Sequence, residues 1–214
     1  MTALLVADSL TYRRGGRTVL DGLSMSVEAG EMVAVAGPSG SGKSSLLAVL
    51  GGLEPPDSGT VLLDSAQLRV GDVTQRRRFG LVLQGYGLLT LLTAAENVEI
   101  ALQARGAFGQ EARLLAGDAL AELGISDVSR KLVEKLSGGQ QQRVAIARAL
   151  VTAPDIVLAD EPTAELDHRS QDVVIAALRA AADRGAVVVV ATHDPDVAAQ
   201  CDRALRFHDG RLAS

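Results

Sequence analysis

The 214-residue sequence contains no tryptophan, two tyrosines, three phenylalanines and a single cysteine. With so few aromatics, the core must be built from Leu, Val and Ala, and each aromatic becomes a candidate for a specific task. The lone Cys201 excludes an internal disulfide, suits a reducing cytoplasm, and reads as a small buried or half-buried filler. Long apolar runs are missing too. A stretch such as Ala186–Ala191 is far short of the ~20 residues a membrane helix requires, so the chain is expected not to span a bilayer. The opening MTALLVADSL has no basic start and too short an apolar stretch for a targeting segment. Positive charge is also in deficit. A net charge of −5 argues against a surface that coats nucleic acid, and the one basic run, Arg76-Arg77-Arg78, reads as a solvated face.

What remains is ordinary for a globular domain: 47% apolar and 22% charged residues, in a chain long enough to bury a core unaided. Short β-like runs alternate with helical stretches. Leu4–Ala7 and Thr18–Val27 flank a turn at Arg14-Gly15-Gly16, and Glu31–Ala36, Thr60–Leu63 and Phe79–Leu83 read as further strands. Lys43–Leu50 is helical, and so is the region from Thr93 to Leu123, where Leu, Ala and Ile recur at spacings of three and four. A helix opens at Ser137 and is closed by Pro154. Strand Ile156–Ala159, helix Arg169–Ala182 and strands Val187–Ala191 and Ala204–His208 complete the pattern. Such alternation implies a mostly parallel α/β sheet flanked by helices, with a helical insert in mid-chain.

Gly37-Pro38-Ser39-Gly40-Ser41-Gly42-Lys43-Ser44, followed by Ser45, matches the P-loop pattern, with an apolar strand before it and a helix after it. The glycines let successive backbone N–H groups turn inward around a phosphate, and the following helix start adds its partial positive charge. Lys43 supplies a point charge for β- and γ-phosphates, and the Ser44 hydroxyl is a hard oxygen ligand suited to Mg²⁺. The loop alone specifies a nucleoside triphosphate and leaves kinase, GTPase and transport ATPase open. The strand Ile156–Ala159 runs into Asp160-Glu161. Asp160 at the end of a parallel strand is placed to hold the metal through water, and Glu161 to polarise an attacking water as general base.

Leu136-Ser137-Gly138-Gly139-Gln140-Gln141-Gln142-Arg143 is similar to the signature motif of ABC ATPases. Read from the residues, Ser and two Gly at a helix start make a second anion-binding end, although the chain already has one phosphate cradle. The resemblance covers essentially the whole chain. It implies an ABC cassette with a RecA-like parallel-sheet core (about 1–87 and 151–214), an N-terminal antiparallel β subdomain, and a helical subdomain (about 88–150) carrying the signature. It further implies that Tyr12 stacks on adenine, Gln84 is the Q-loop glutamine and a Mg²⁺ ligand, Ala164-Glu165-Leu166-Asp167 is the D-loop, and His193 contacts the γ-phosphate. The family often shows other residues before Leu-Asp, which leaves the role of Glu165 open. On this resemblance the chain is an ATPase using ATP and Mg²⁺, working as a head-to-tail homodimer. Each ATP then lies between Gly37–Ser44 of one copy and Ser137, Gly138, Gly139 and Gln140 of the other. The implied setting is the cytoplasmic face of the cell membrane, reached only through a separate transmembrane permease, with no nucleic acid.

Leu50-Gly51-Gly52-Leu53, Pro56-Asp57-Ser58-Gly59, Leu88-Leu89 and Ala95-Glu96-Asn97-Val98 resemble the lipoprotein-releasing, macrolide-efflux and cell-division branch. About 90 residues separate P-loop and signature, too few for the long coiled coil of a chromosome-maintenance ATPase. A two-cassette translation factor would not fit in this length. A cell-division regulator that transports nothing and a soluble sulfur-cluster scaffold ATPase remain as alternatives.

Overall fold

A computed structural model of the chain describes residues 4–213. The N-terminal hairpin pairs β1 (Leu4–Arg14) with β2 (Arg17–Glu28). In β1, Leu5 and Ala7 point inward on the strand's two-residue period. An irregularity at Asp8 and Ser9 then shifts the phase, so that Leu10 and Tyr12 also face the core. With β4 (Ser58–Leu63) and β5 (Ala66–Gln67) these strands form an antiparallel sheet in the order β2-β1-β4-β5.

The second sheet has the order β10-β9-β3-β8-β7-β6. Its strands are β3 (Met32–Ala36), β6 (Phe79–Val82), β7 (Ile156–Asp160), β8 (Val187–Thr192), β9 (Arg203–His208) and β10 (Arg211–Ala213). All neighbours are parallel except β10 on β9. β7 and β8 are buried throughout, as expected of parallel strands covered on both faces. Two apolar cores share this wall. Val33, Val35, Ile156, Leu158, Val187, Val189 and Ala191 face the antiparallel sheet and helix α1 (Lys43–Leu50). Met32, Val157, Ala159, Val188 and Val190 face the helical layer.

That layer comprises α3 (Ala94–Gln103), α4 (Gly109–Glu122), α5 (Gly138–Leu150) and α6 (His168–Asp183); the short helices α2 (Val73–Arg76) and α7 (Pro195–Ala199) lie between strands. The expected α/β architecture, with its antiparallel N-terminal sheet and mid-chain helices, is present. One difference concerns the stretch from Thr93 to Leu123, which is two helices. The chain leaves α3 at Ala104, packs Ala107 on the core, and re-enters at Gly109, so that Ala112, Ala116 and Leu120 return to the face already covered by Val98 and Leu102. A single straight helix would have carried one of these groups away from the core. The second difference is Arg78, which is not part of a solvated face. It is half-buried and bridges Asp64 at 2.7 Å and Asp155 at 2.5 Å, tying β6 to the antiparallel sheet.

Candidate nucleotide site

The carboxyl ends of β3, β6, β7 and β8 converge on one cleft of about 510 Å³, the position at which open α/β sheets bind ligands. Lys43 opens α1 and is only 5% exposed. Its ammonium stands at the partially positive end of the helix, an adverse place for a cation with no anion nearby. The chain compensates locally: Nζ donates to the carbonyls of Gly37 at 2.8 Å and Pro38 at 3.1 Å, and lies 3.4 Å from Glu161 Oε1. Helix α1 has no side-chain cap and no acid in its first turn, whereas α3, α5, α6 and α7 are each capped by a Thr, Ser or Asp side chain. Its first amides are therefore left free for an external acceptor. Gly42 supplies the required backbone: φ is +107°, and a β-carbon there would come 3.0 Å from the Val19 side chain and carbonyl.

Across the cleft, β7 delivers Asp160 and Glu161. Asp160 is 5% exposed, its Oδ1 has no hydrogen-bond partner, and burial pushes its carboxyl above the usual range despite the Ser44 hydroxyl beside it. An orphaned carboxylate oxygen next to a hydroxyl is the donor set a hard divalent cation takes when phosphate oxygens and water complete its shell. Glu161 adopts φ +47°, in the left-handed region that costs a non-glycine residue about 1–2 kcal/mol. The turn is held by its amide donating to Ala191, and it aims the carboxylate back over the cleft. Oε1 lies 2.9 Å from His193 Nδ1, and the His193 amide donates to Oε2 at 3.4 Å. Among the described residues, the buried side-chain polar atoms without partners belong to Ser41, Gln142 and Asp160: one in the P-loop and two in the cleft lining.

A third set comes from the loop after β6. Gln84, Gly85 and Tyr86 line the cleft. The loop is clamped from α5 by Arg148, whose guanidinium donates to Gly87 O at 2.6 Å and Tyr86 O at 2.8 Å and has no carboxylate partner among the described residues. Burial lowers its basicity.

The structure thus gathers Ser39, Gly40, Gly42, Lys43, Ser44, Ser45, Gln84, Asp160, Glu161 and His193 around one space, with Gly37, Pro38 and Ser41 behind them. Ser137, Gly138, Gly139 and Gln140 are not in its lining. They form a separate helix start, where Ser137 and Gln140 cap each other reciprocally. Tyr12 is not in the lining either. The phase shift in β1 turns its ring into the core, 8% exposed, and Val19 on the paired strand borders the cleft instead. Sequence reasoning did not single out Val19, Gln142 or Arg148 as site residues. An apolar strand residue and an arginine within an amphipathic helix carry no local signal of such a place, and Gln142 entered only as part of the run that resembles the signature motif.

Comparison with known proteins agrees with this fold. The ABC transporter family profile matches residues 20–164. The macrolide export ATP-binding/permease protein MacB of Salmonella typhimurium (strain LT2) is 45% identical over an alignment of 221 residues, covering 99% of this chain and 34% of that protein. MacB of Escherichia coli (strain K12) is 45% identical over 199 residues, 91% of this chain and 31% of its own. The chain therefore spans about a third of the length of these relatives. The dimeric bacterial ABC transporter cassette MJ0796 superposes with a TM-score of 0.91 at 37% identity, covering 98% of this chain and 97% of that one. Its dimeric post-hydrolysis state bound to ADP and Pi gives 0.90 at the same identity and coverage. The chain belongs to the ABC transporter family.

Proposed function

We propose that the chain hydrolyses ATP as a head-to-tail pair, driving a membrane-spanning permease of the export type from the cytoplasmic face. The observation that carries this is Lys43, a buried cation at an uncapped helix start, facing Asp160, Glu161 and His193 across one cleft. Triphosphate oxygens would take the free amides of α1 and the Lys43 ammonium. That draws Lys43 away from Glu161, leaving the carboxylate to accept a proton from an attacking water while His193 donates to the γ-phosphate. Ser44, Asp160 and Gln84 would hold Mg²⁺, which would supply positive charge to offset that of the phosphate oxygens. Tyr12 is assigned to the adenine by resemblance alone.

Ser137–Gln140 lie outside this chain's own cleft, which supports their serving the cleft of a second copy; the dimeric state of the MJ0796 cassette supports the same arrangement. No helix among the described residues is long and apolar enough to cross a membrane, and the MacB relatives are described as ATP-binding/permease proteins. A second concavity of about 550 Å³, running from Leu83 and Gly87 to Val73, Arg77 and Arg105, adjoins the Gln84 loop and would seat a short cytoplasmic helix of that permease.

Glu161→Gln is the test. Turnover should fall by about 10²-fold or more, with an ATP-bound dimer accumulating in size-exclusion chromatography. Unchanged turnover would refute the assignment of the base. Unchanged turnover in Ser137→Arg would refute the shared site.

A further inference from the structure

Four consecutive polar residues, Gln140 to Arg143, follow the glycines that open α5, and three of them are partnered within the chain. Gln140 and Ser137 cap each other. Gln141 Nε2 donates to Val133 O and Leu136 O at 3.1 Å, and Arg143 donates to Gly139 O and Leu123 O at 3.3 Å. Gln142 differs: it is 4% exposed, yet its Nε2 has no hydrogen-bond partner among the described residues. It shares the buried stripe of α5 with Ala145, Ile146 and Ala149, where an apolar side chain would bury at no such cost. The same face runs back to Gly139 and Gly138, three and four residues earlier. A β-carbon on Gly138 would overlap the Glu165 carboxylate and come 3.6 Å from the Tyr86 hydroxyl, and one on Gly139 would come 3.0 Å from Glu165 O. Gln142 therefore stands between the Gln84 loop and the turn that follows β7, and it lines the cleft together with Gln84, Asp160 and Glu161. The other unpartnered buried side-chain atoms among the described residues, Ser41 Oγ and Asp160 Oδ1, belong to the P-loop and to the acid across from it.

We propose that Gln142 is a positioning residue for hydrolysis in its own chain's cleft, its amide donating to the water that Glu161 deprotonates. The proposal rests on the ATP-hydrolysis reading above. An attacking water gives one proton to the base and keeps one lone pair free to face phosphorus. Its other lone pair needs a donor, or the water rotates out of line. Asp160 and Glu161 only accept when ionised, and Lys43 Nζ is engaged by Gly37 O and Pro38 O on the P-loop side. Gln84 and His193 are assigned above to the metal and to the γ-phosphate. A neutral amide suits the remaining task, because it donates without competing with Glu161 for the proton. Its place on α5 suits it as well. Ala145, Ile146 and Ala149 anchor that helix in the core, and Arg148 on the same helix holds the Gln84 loop. The donor is thereby kept in register with both the loop and the base.

The test compares the parent chain with Gln142→Met and Gln142→Asn in steady-state ATP hydrolysis and thermal unfolding. Methionine matches glutamine in length and flexibility but has no N–H. Without nucleotide, the Met variant should gain about 2–4 °C in Tm, because an unpartnered buried amide has gone. Its kcat should fall by about 10- to 100-fold while KM for ATP stays within about twofold, the pattern of a contact made only during reaction. Gln142→Asn, which keeps the donor one methylene further back, should retain a kcat between those of the parent and the Met variant. ATP binding to Glu161→Gln, titrated calorimetrically, should be unchanged when Gln142→Met is added. A Met variant that turns over at the parent's rate would overturn the proposal while leaving the ATP-hydrolysis reading intact. A Met variant whose Tm falls by several degrees would overturn it too, since that marks a side chain needed for packing. A parent chain with no ATP turnover would overturn the ATP-hydrolysis reading, and this proposal with it.

Discussion

Replacing Arg148 with Met should loosen the Gln84 loop and destabilise the whole cassette by a calculable amount. The guanidinium makes two short hydrogen bonds, to Gly87 O and Tyr86 O. Charge-assisted bonds contribute about 1.5–3 kcal/mol each, so about 3–6 kcal/mol is lost with the side chain. Methionine recovers the cost of burying an unpaired cation, which is several kcal/mol, but strands two carbonyls unless the loop opens to water. The loop has reason to open, because Tyr86 holds φ +64°, a conformation that costs a non-glycine residue about 1–2 kcal/mol. The net expectation is a loss of about 2–3 kcal/mol, or about 4–12 °C in Tm for a domain of this size. Arg148→Lys should lose about half as much, since a compact ammonium cannot span two carbonyls as a planar fork does. Urea unfolding gives the magnitude, and hydrogen exchange at Gly85–Gly87 gives the place. Stability within 0.5 kcal/mol of the parent chain, or a loss without faster exchange at those amides, would refute the clamp.

Other expectations follow from the same structure. Asp160→Asn should raise the Tm of the nucleotide-free protein at pH 8, because it removes a buried charge, while abolishing Mg²⁺-dependent ATP binding. Since burial raises the Asp160 pKa, the native carboxyl regains its proton as pH falls through that raised value, and the thermal advantage of Asn should shrink there in calorimetry. Asp202 is held low by Arg179 and by the Met32 amide, so its contribution is present above the ordinary Asp range and lost as pH falls through the depressed native value. Arg179→Gln should therefore cost under about 1 kcal/mol at pH 6, this pair being solvent-screened, with unfolding curves that converge with the parent's towards pH 2. Gly42→Ala should cost about 1–3 kcal/mol and remove ATP binding in calorimetric titration, since the backbone angle and the Val19 contact both oppose a β-carbon.

Much of the site was legible because its parts are local. The P-loop and the Asp160-Glu161 pair are each contiguous, and each sits at a junction that hydrophobic pattern reveals. Elements whose meaning depends on distant neighbours were not legible. Arg148 looks like a solvated helix residue until the Tyr86 and Gly87 carbonyls are brought to it. Arg78 sits in a basic run and yet spans two acids from separate strands. Tyr12 lies in a run that reads as a strand, but the irregularity at Asp8–Ser9 that turns its ring inward has no alternation signature. The break between α3 and α4 does carry a local signal, Gly106 and Gly109 at φ +93° and +61°, but the Leu, Ala and Ile spacing on either side of it reads as one helix.

The central sheet has a consequence for how this cassette tolerates change. Along β8, Val187, Val189 and Ala191 belong to one core, and Val188 and Val190 to the other. In the sequence they form one uniform apolar run, but neighbouring positions answer to different company. A lineage could exchange volume between α1 and Val189 without disturbing α6, or repack Val188 without troubling the hairpin. The wall that holds the catalytic loops in line would keep its hydrogen-bonded register throughout. The nucleotide-facing half and the helical half can therefore drift on separate clocks, coupled mainly through the loops at the sheet's edge. Chimeras that split the chain's residues by sheet face should consequently fold more readily than chimeras that split it by position along the chain.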